Sequence, residues 1–258
     1  MFDRNINLTF ISVLLNAILL KLILPLTQSG LLTYIAVYLL SYLLPILLVG
    51  FSTRKADADK RVSMFKIGRE STSVCAEIFI ILTVISTALG YLFPADIVQY
   101  ELSPANFAIA GITAPILEEI FWRGTVFKKL SLYGTSQAMI ISSLLFGMFH
   151  NGTAGLIYAF IAGMLYSYLY VRTGSVLPCV LLHIINNTLS LISINYKWII
   201  LAAAACAVLI IITTHITRHR SNSDNNEAAY VPMSYTVIAS PILYFSIIVL
   251  ILIRTTVS

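Results

Sequence analysis

Charge is what this chain has least of. Only 10% of its 258 residues are Asp, Glu, Lys or Arg, where a soluble domain carries about 25%. Hydrophobic residues make up 59%, and the mean hydropathy is +0.90. That balance excludes a soluble enzyme. Long polar stretches are missing too: the two longest run about twenty residues each, short of the roughly 50 that a domain needs. Cysteine is scarce. Cys75, Cys179 and Cys206 lie in or beside apolar runs, without metal-ligand spacing or an evident partner, and read as small buried hydrophobes. The sequence holds no His-Glu-x-x-His, no repeat of solenoid length and no clear inverted repeat of the transporter kind.

What is present is apolar helix. A spanning helix needs about 20 apolar residues. Candidate spans lie at 8–26, 31–51, 73–93, 106–127, 135–151, 154–171, 175–193, 198–214 and 235–253. The breakers between them include Gln28-Ser29-Gly30, Asn151-Gly152-Thr153, Thr173-Gly174 and Asn195-Tyr196-Lys197. The first run contains Lys21 and has no small-x-small site after it, so it reads as a retained helix and not a signal peptide. Pro25, Pro45, Pro94 and Pro178 read as kinks or terminations. The expected fold is all-α: a polytopic transmembrane helix bundle of eight or nine spans, forming a single membrane domain over 1–258, with the polar motifs taken up below gathered in 105–190.

The net charge of +5 does not point to nucleic acid, because the cations sit in a few loops between spans. With the N-terminus inside, Arg4, Arg54, Lys55, Lys60, Arg61, Lys66, Arg69, Lys128, Lys129, Arg172, Arg218 and Arg220 all fall inside, and only Lys197 and Arg254 fall outside. That asymmetry sets orientation. It predicts a multi-pass integral protein with a cytoplasmic N-terminus. The partner expected from this pattern is membrane lipid; a membrane-associated peptide or protein substrate is what the resemblance given below implies.

Against this background Glu118, Glu119 and Arg123 are out of place, since the surrounding Ala105–Val126 stretch is otherwise apolar almost throughout. Each ionisable group at bilayer depth costs roughly 2.5 to 3.5 kcal/mol on insertion scales. Helix residues four apart share a face, so Glu119 and Arg123 pair within the helix. Glu118 is turned away by about 100° and has no intrahelical cation. A structural ion pair with a cytoplasmic anchor at Lys128 and Lys129 accounts for Arg123 but not for Glu118, which is left as a candidate general base.

Two further segments carry polar groups. Phe146 and His150 are four apart, at the end of one span. His183 and Asn187 are four apart within another and point into one cavity, where two donors resemble an oxyanion-stabilising pair. Interhelical hydrogen bonding is the plainer explanation for that pair, and Asn186 lies off its face. At 1.5 Å per residue, Glu118 is roughly 15 Å from Lys128, His183 roughly 16 Å from Arg172, and His150 roughly 30 Å from the Lys129 side. The depth of His150 therefore requires helix tilt or a later start to its span. Elsewhere, Gly155, Ala159 and Gly163 put small side chains on one helix face, a sign of close helix packing. His215 and His219 are four apart but have no third metal ligand near them and read as surface residues.

Glu118-Glu119 with Arg123, Phe146 with His150, and His183 with Asn187, in this order on successive apolar segments, resemble the CPBP intramembrane proteases. These include the type II CAAX prenyl endopeptidases and relatives tied to bacteriocin processing and self-immunity. The likeness covers about residues 105–190. It implies an intramembrane endopeptidase acting on a membrane-associated or prenylated substrate, in which Glu118 and His150 activate a water, His183 and Asn187 stabilise the oxyanion, and Glu119, Arg123 and Phe146 support the site. It implies no cofactor on the reading preferred here; a minority reading puts zinc on Glu118, His150 and His183. The alternatives are a non-catalytic immunity or scaffolding protein and a proton-coupled transporter.

Overall fold

The computed structural model describes residues 4–27, 31–50, 69–94, 103–191 and 240–257. Among the described residues the chain is helical, with short turns and no strand. The expected span 198–214, the loop 52–68, Cys206, His215 and His219 lie outside them.

Helix α1 (Arg4–Ala17) continues through a π-helical turn at Ile18–Ile23 and ends in a 3₁₀ turn at Leu24–Thr27, where Pro25 stops it. α2 is Leu31–Gly50, with Pro45 inside it, and α3 is Arg69–Leu92. α4 is a composite rod over 104–133. Its pieces are Pro104–Asn106, a π segment Phe107–Thr113, an α segment Ala114–Phe121, a second π segment Trp122–Phe127, Lys128–Leu130, and a closing 3₁₀ turn Ser131–Tyr133. α5 is Thr135–Met148, α6 Thr153–Thr173, α7 Leu177–Leu191 and α8 Pro241–Val257.

By length and composition four helices can cross a membrane: Arg4–Leu26, Thr33–Gly50, Val74–Leu92 and Thr153–Thr173. Thr135–Met148, Leu177–Leu191 and Pro241–Ile253 are apolar but shorter. The protein is an all-α membrane bundle.

Local chemistry explains the irregular course of α4. Ser103 caps its start by accepting from the Asn106 amide at 3.1 Å, with Pro104 at the first position. Pro115 has no N–H to give, and the π winding lies just before it. Carbonyls loosened by the wide turns find side-chain donors: Thr113 donates to Ala108 at 2.8 Å and Thr125 to Ile120 at 3.2 Å.

Two hairpins frame this rod. α1 packs on α2, and α5 packs on α6. The α5–α6 contact is close because its helices meet at glycine. A Cβ on Gly163 would lie 2.9 Å from Ser143 Cβ, and one on Gly147 would lie 2.9 Å from the Leu156 carbonyl oxygen. This agrees with the packing role expected for the small-residue face; Gly147, on the opposite helix, is a part of it that the spacing does not reveal. The turn between α4 and α5 passes through Gly134 at φ 143°, and α6 ends in a left-handed Gly174 at φ 62°, whose N–H returns to the Tyr170 carbonyl at 2.8 Å.

The depth of His150 needs neither unusual tilt nor a later start to its helix. The helical path does not stop near Lys129 but runs on to Tyr133. The turn is therefore centred on Gly134, and Glu118 and His150 each lie sixteen residues from it, on antiparallel neighbours.

Candidate active site

Glu119 is the centre of a buried cluster. Its side chain is fully buried, and its Oε1 accepts from Arg123 NH1 at 3.0 Å, the i,i+4 pair expected from spacing. The same oxygen lies 2.9 Å from His183 Nδ1 on α7. Arg123 also donates to the Gly163 carbonyl on α6 at 3.3 Å. Its guanidinium is sandwiched by aromatic rings, 4.8 Å from the centroid of Phe146 and 5.2 Å from that of Tyr166. Arg123 and Glu119 are thus held by α4, α6 and α7 together.

Glu118 is placed differently. It keeps 17% of its side chain exposed. Its Oε2 faces His183 Nε2 at 3.9 Å, and its Oε1 accepts from the Tyr42 hydroxyl at 3.5 Å, the long end of the hydrogen-bond range. One imidazole therefore stands between the two glutamates, with one nitrogen toward each.

This arrangement assigns the ring's hydrogens. A carboxylate already accepting from Arg123 can only accept, so His183 Nδ1 is the donor and Nε2 carries hydrogen only in the charged ring. His150 is assigned in the same way. Its Nδ1 lies 3.0 Å from the Phe146 carbonyl oxygen, which makes Nδ1 the donor and Nε2 the acceptor in the neutral ring. His150 sits in the turn just after α5 and rests on the Phe146 ring, 4.8 Å between centroids and near perpendicular. The same ring meets His183 edge-on at 6.3 Å. Phe146 is thus the shared wall between the two histidines, and Trp122 packs against its other side at 5.7 Å.

Asn187 reaches across to α4. Its amide nitrogen donates to the Ala110 carbonyl of the first π segment at 3.1 Å, a partner that spacing along α7 does not reveal. The reason lies in α4, where the Ala114 N–H bonds to the Ile109 carbonyl and Pro115, next in line, has no N–H for that of Ala110. One amide hydrogen of Asn187 is used by that bond, and its NH₂ carries two. Asn186 is off the site face, as expected, and donates to the Tyr158 hydroxyl on α6.

Tyr42 and Tyr166 belong to the site but to none of the three motifs. Tyr166 lies against His183 at 5.2 Å between ring centroids. The signal for Tyr42 is a row of tyrosines at helical spacing, Tyr34, Tyr38 and Tyr42, along one face of a largely aliphatic helix.

Among the described residues no group of three or more His, Cys, Asp or Glu side chains is placed to hold a metal ion. With His183 Nδ1 on Glu119 and His150 Nδ1 on a backbone oxygen, Nε2 is the ring nitrogen that each histidine would turn to a water or a metal ion.

Comparison with curated proteins and with solved structures returned no match. The stretch that carries Glu118, Glu119, Arg123, His150, His183 and Asn187 does have a match: residues 101–189, about a third of the chain, fit the family model described as Rce1-like, type II CAAX prenyl endopeptidase, the group that the three motifs resemble.

Proposed function

We propose that the protein is an intramembrane endopeptidase that hydrolyses a peptide bond of a membrane-associated substrate with a water activated by Glu118. The observation that carries this reading is the unequal placement of the two glutamates. Glu119 is fully buried, with its Oε1 shared by Arg123 and His183, whereas Glu118 is partly exposed and faces the imidazole. One carboxylate holds the site and the other is left to react.

The chemistry uses side chains alone. Glu118 takes a proton from water, and the acceptor nitrogen of His150 helps to orient that water. The water oxygen bonds to the carbonyl carbon of the scissile peptide, and the carbonyl electrons move to oxygen. The charged His183 ring donates from Nε2 to that oxygen, with the second amide hydrogen of Asn187 as its companion. The proton held by Glu118 passes to the leaving amine as the C–N bond breaks. With His183 charged, two carboxylates face two cations, so the cluster is neutral overall and less costly at bilayer depth. The distribution of cations supports a cytoplasmic N-terminus.

The test is product identification. The purified chain in lipid is incubated with membrane-tethered peptides, with and without a prenyl group, and the products are read by mass spectrometry. A single internal cut is expected. Uptake of solute into liposomes with every peptide intact would favour a carrier, and neither outcome would favour a binding or immunity protein.

A further inference from the structure

Tyr42 lies on α2, 76 positions from Glu118 along the chain, and is 3% exposed. Its ring is fixed from two sides. It meets Phe121 edge-on at 6.1 Å and Tyr38 at 5.6 Å. Phe121 is fully buried and belongs to the same α segment as Glu118, so packing sets where the phenol stands relative to that carboxylate.

Glu118 needs such a partner. Its side chain has three rotatable bonds, and Glu119 beside it carries the same charge. Among the described residues the groups that address its oxygens come from other helices: the Tyr42 hydroxyl at Oε1 and His183 Nε2 at Oε2. A phenol donates one hydrogen and can rotate it toward a carboxylate without cost to its ring packing.

We propose that Tyr42 is a positioning residue for Glu118, its phenol holding Oε1 so that Oε2, on the His183 side, is the basic oxygen presented to water. This rests on the reading of Glu118 as the base.

Tyr42→Phe is the test, because it keeps the ring against Phe121 and Tyr38 and removes only the hydroxyl. Peptide cleavage by Tyr42→Phe is expected to show kcat lowered about tenfold, KM within twofold of wild type and an unchanged melting temperature. Infrared spectra supply a readout independent of turnover: the carboxylate band that Glu118→Gln abolishes is expected to shift in Tyr42→Phe. A Tyr42→Phe protein with wild-type kcat, or with an unmoved carboxylate band, overturns the proposal. So does a fall in kcat that comes only with a fall in melting temperature, because that describes packing. Wild-type cleavage by Glu118→Gln in the same assay would instead remove the underlying reading of Glu118.

Discussion

His183 and Glu119, 64 positions apart in the chain and on different helices, meet at 2.9 Å through the same carboxylate oxygen that takes Arg123 at 3.0 Å. That shared oxygen ties the helix carrying the candidate base to the helix carrying its imidazole. It also fixes which nitrogen of His183 is turned toward Glu118.

Removing the charge of Glu119 therefore disturbs fold and site together. Glu119→Gln keeps the shape and leaves Arg123 buried without its counter-charge. Breaking one side of a buried pair costs about 3–5 kcal/mol. Unfolding in detergent is expected to show a loss of that order, and Glu119→Gln with Arg123→Met is expected to recover part of it. A Glu119→Gln protein as stable as wild type would mean that the pair does not hold the bundle.

The glycine contacts between α5 and α6 predict a graded series. A methyl on Gly147 meets a backbone oxygen at 2.9 Å, and one on Gly163 meets Ser143 at 2.9 Å. Overpacking of this kind costs about 1–3 kcal/mol. Gly124, whose nearest neighbours to an added Cβ are 3.7 and 3.9 Å away, has room. Thermal unfolding should rank Gly147→Ala and Gly163→Ala well below Gly124→Ala, with Gly124→Ala near wild type. Equal melting of all three would contradict the close approach.

Asn187 separates structural from catalytic use of one side chain. Its bond to Ala110 is worth about 1 kcal/mol if it only joins α7 to α4. Loss of an oxyanion donor lowers kcat by about 10²–10³. Asn187→Ala is expected to lose little stability and much activity. Small losses in both would make Asn187 a helix fastener alone.

His150 makes a comparable case at the end of α5. Loss of a group that assists proton transfer lowers the rate by about 10²–10⁴. His150→Gln is expected to fold, since the ring is only partly buried in the turn, and to cut peptide at a rate reduced on that scale. A mild effect would leave water activation to Glu118 alone.

The pairs set by helical period are legible in the amino-acid sequence. Glu119 with Arg123 and Phe146 with His150 are relations four residues long, and a helix fixes them. Relations across helices are not legible in the same way. His183 goes to Glu119, and Asn187 to the Ala110 carbonyl, which has no N–H from Pro115 to accept. Spacing along α7 shows that the two side chains share a face; it does not show what each one touches. The sequence misplaces the depth of His150 because the last cations of α4 look like its end, whereas helical turns continue to Tyr133. The tyrosine row on α2 marks a face but not its partner, and only the packing of α2 on α4 brings the Tyr42 hydroxyl to Glu118.

The most direct measurement compares wild type with Glu118→Gln, each purified into the same lipid, on one membrane-tethered peptide that the wild type cuts. The substitution keeps the side chain's shape and removes the base. The account predicts that cleavage falls by at least about 10²-fold, as loss of general-base assistance does, while the melting temperature stays close to wild type. Cleavage by Glu118→Gln at the wild-type rate would contradict it.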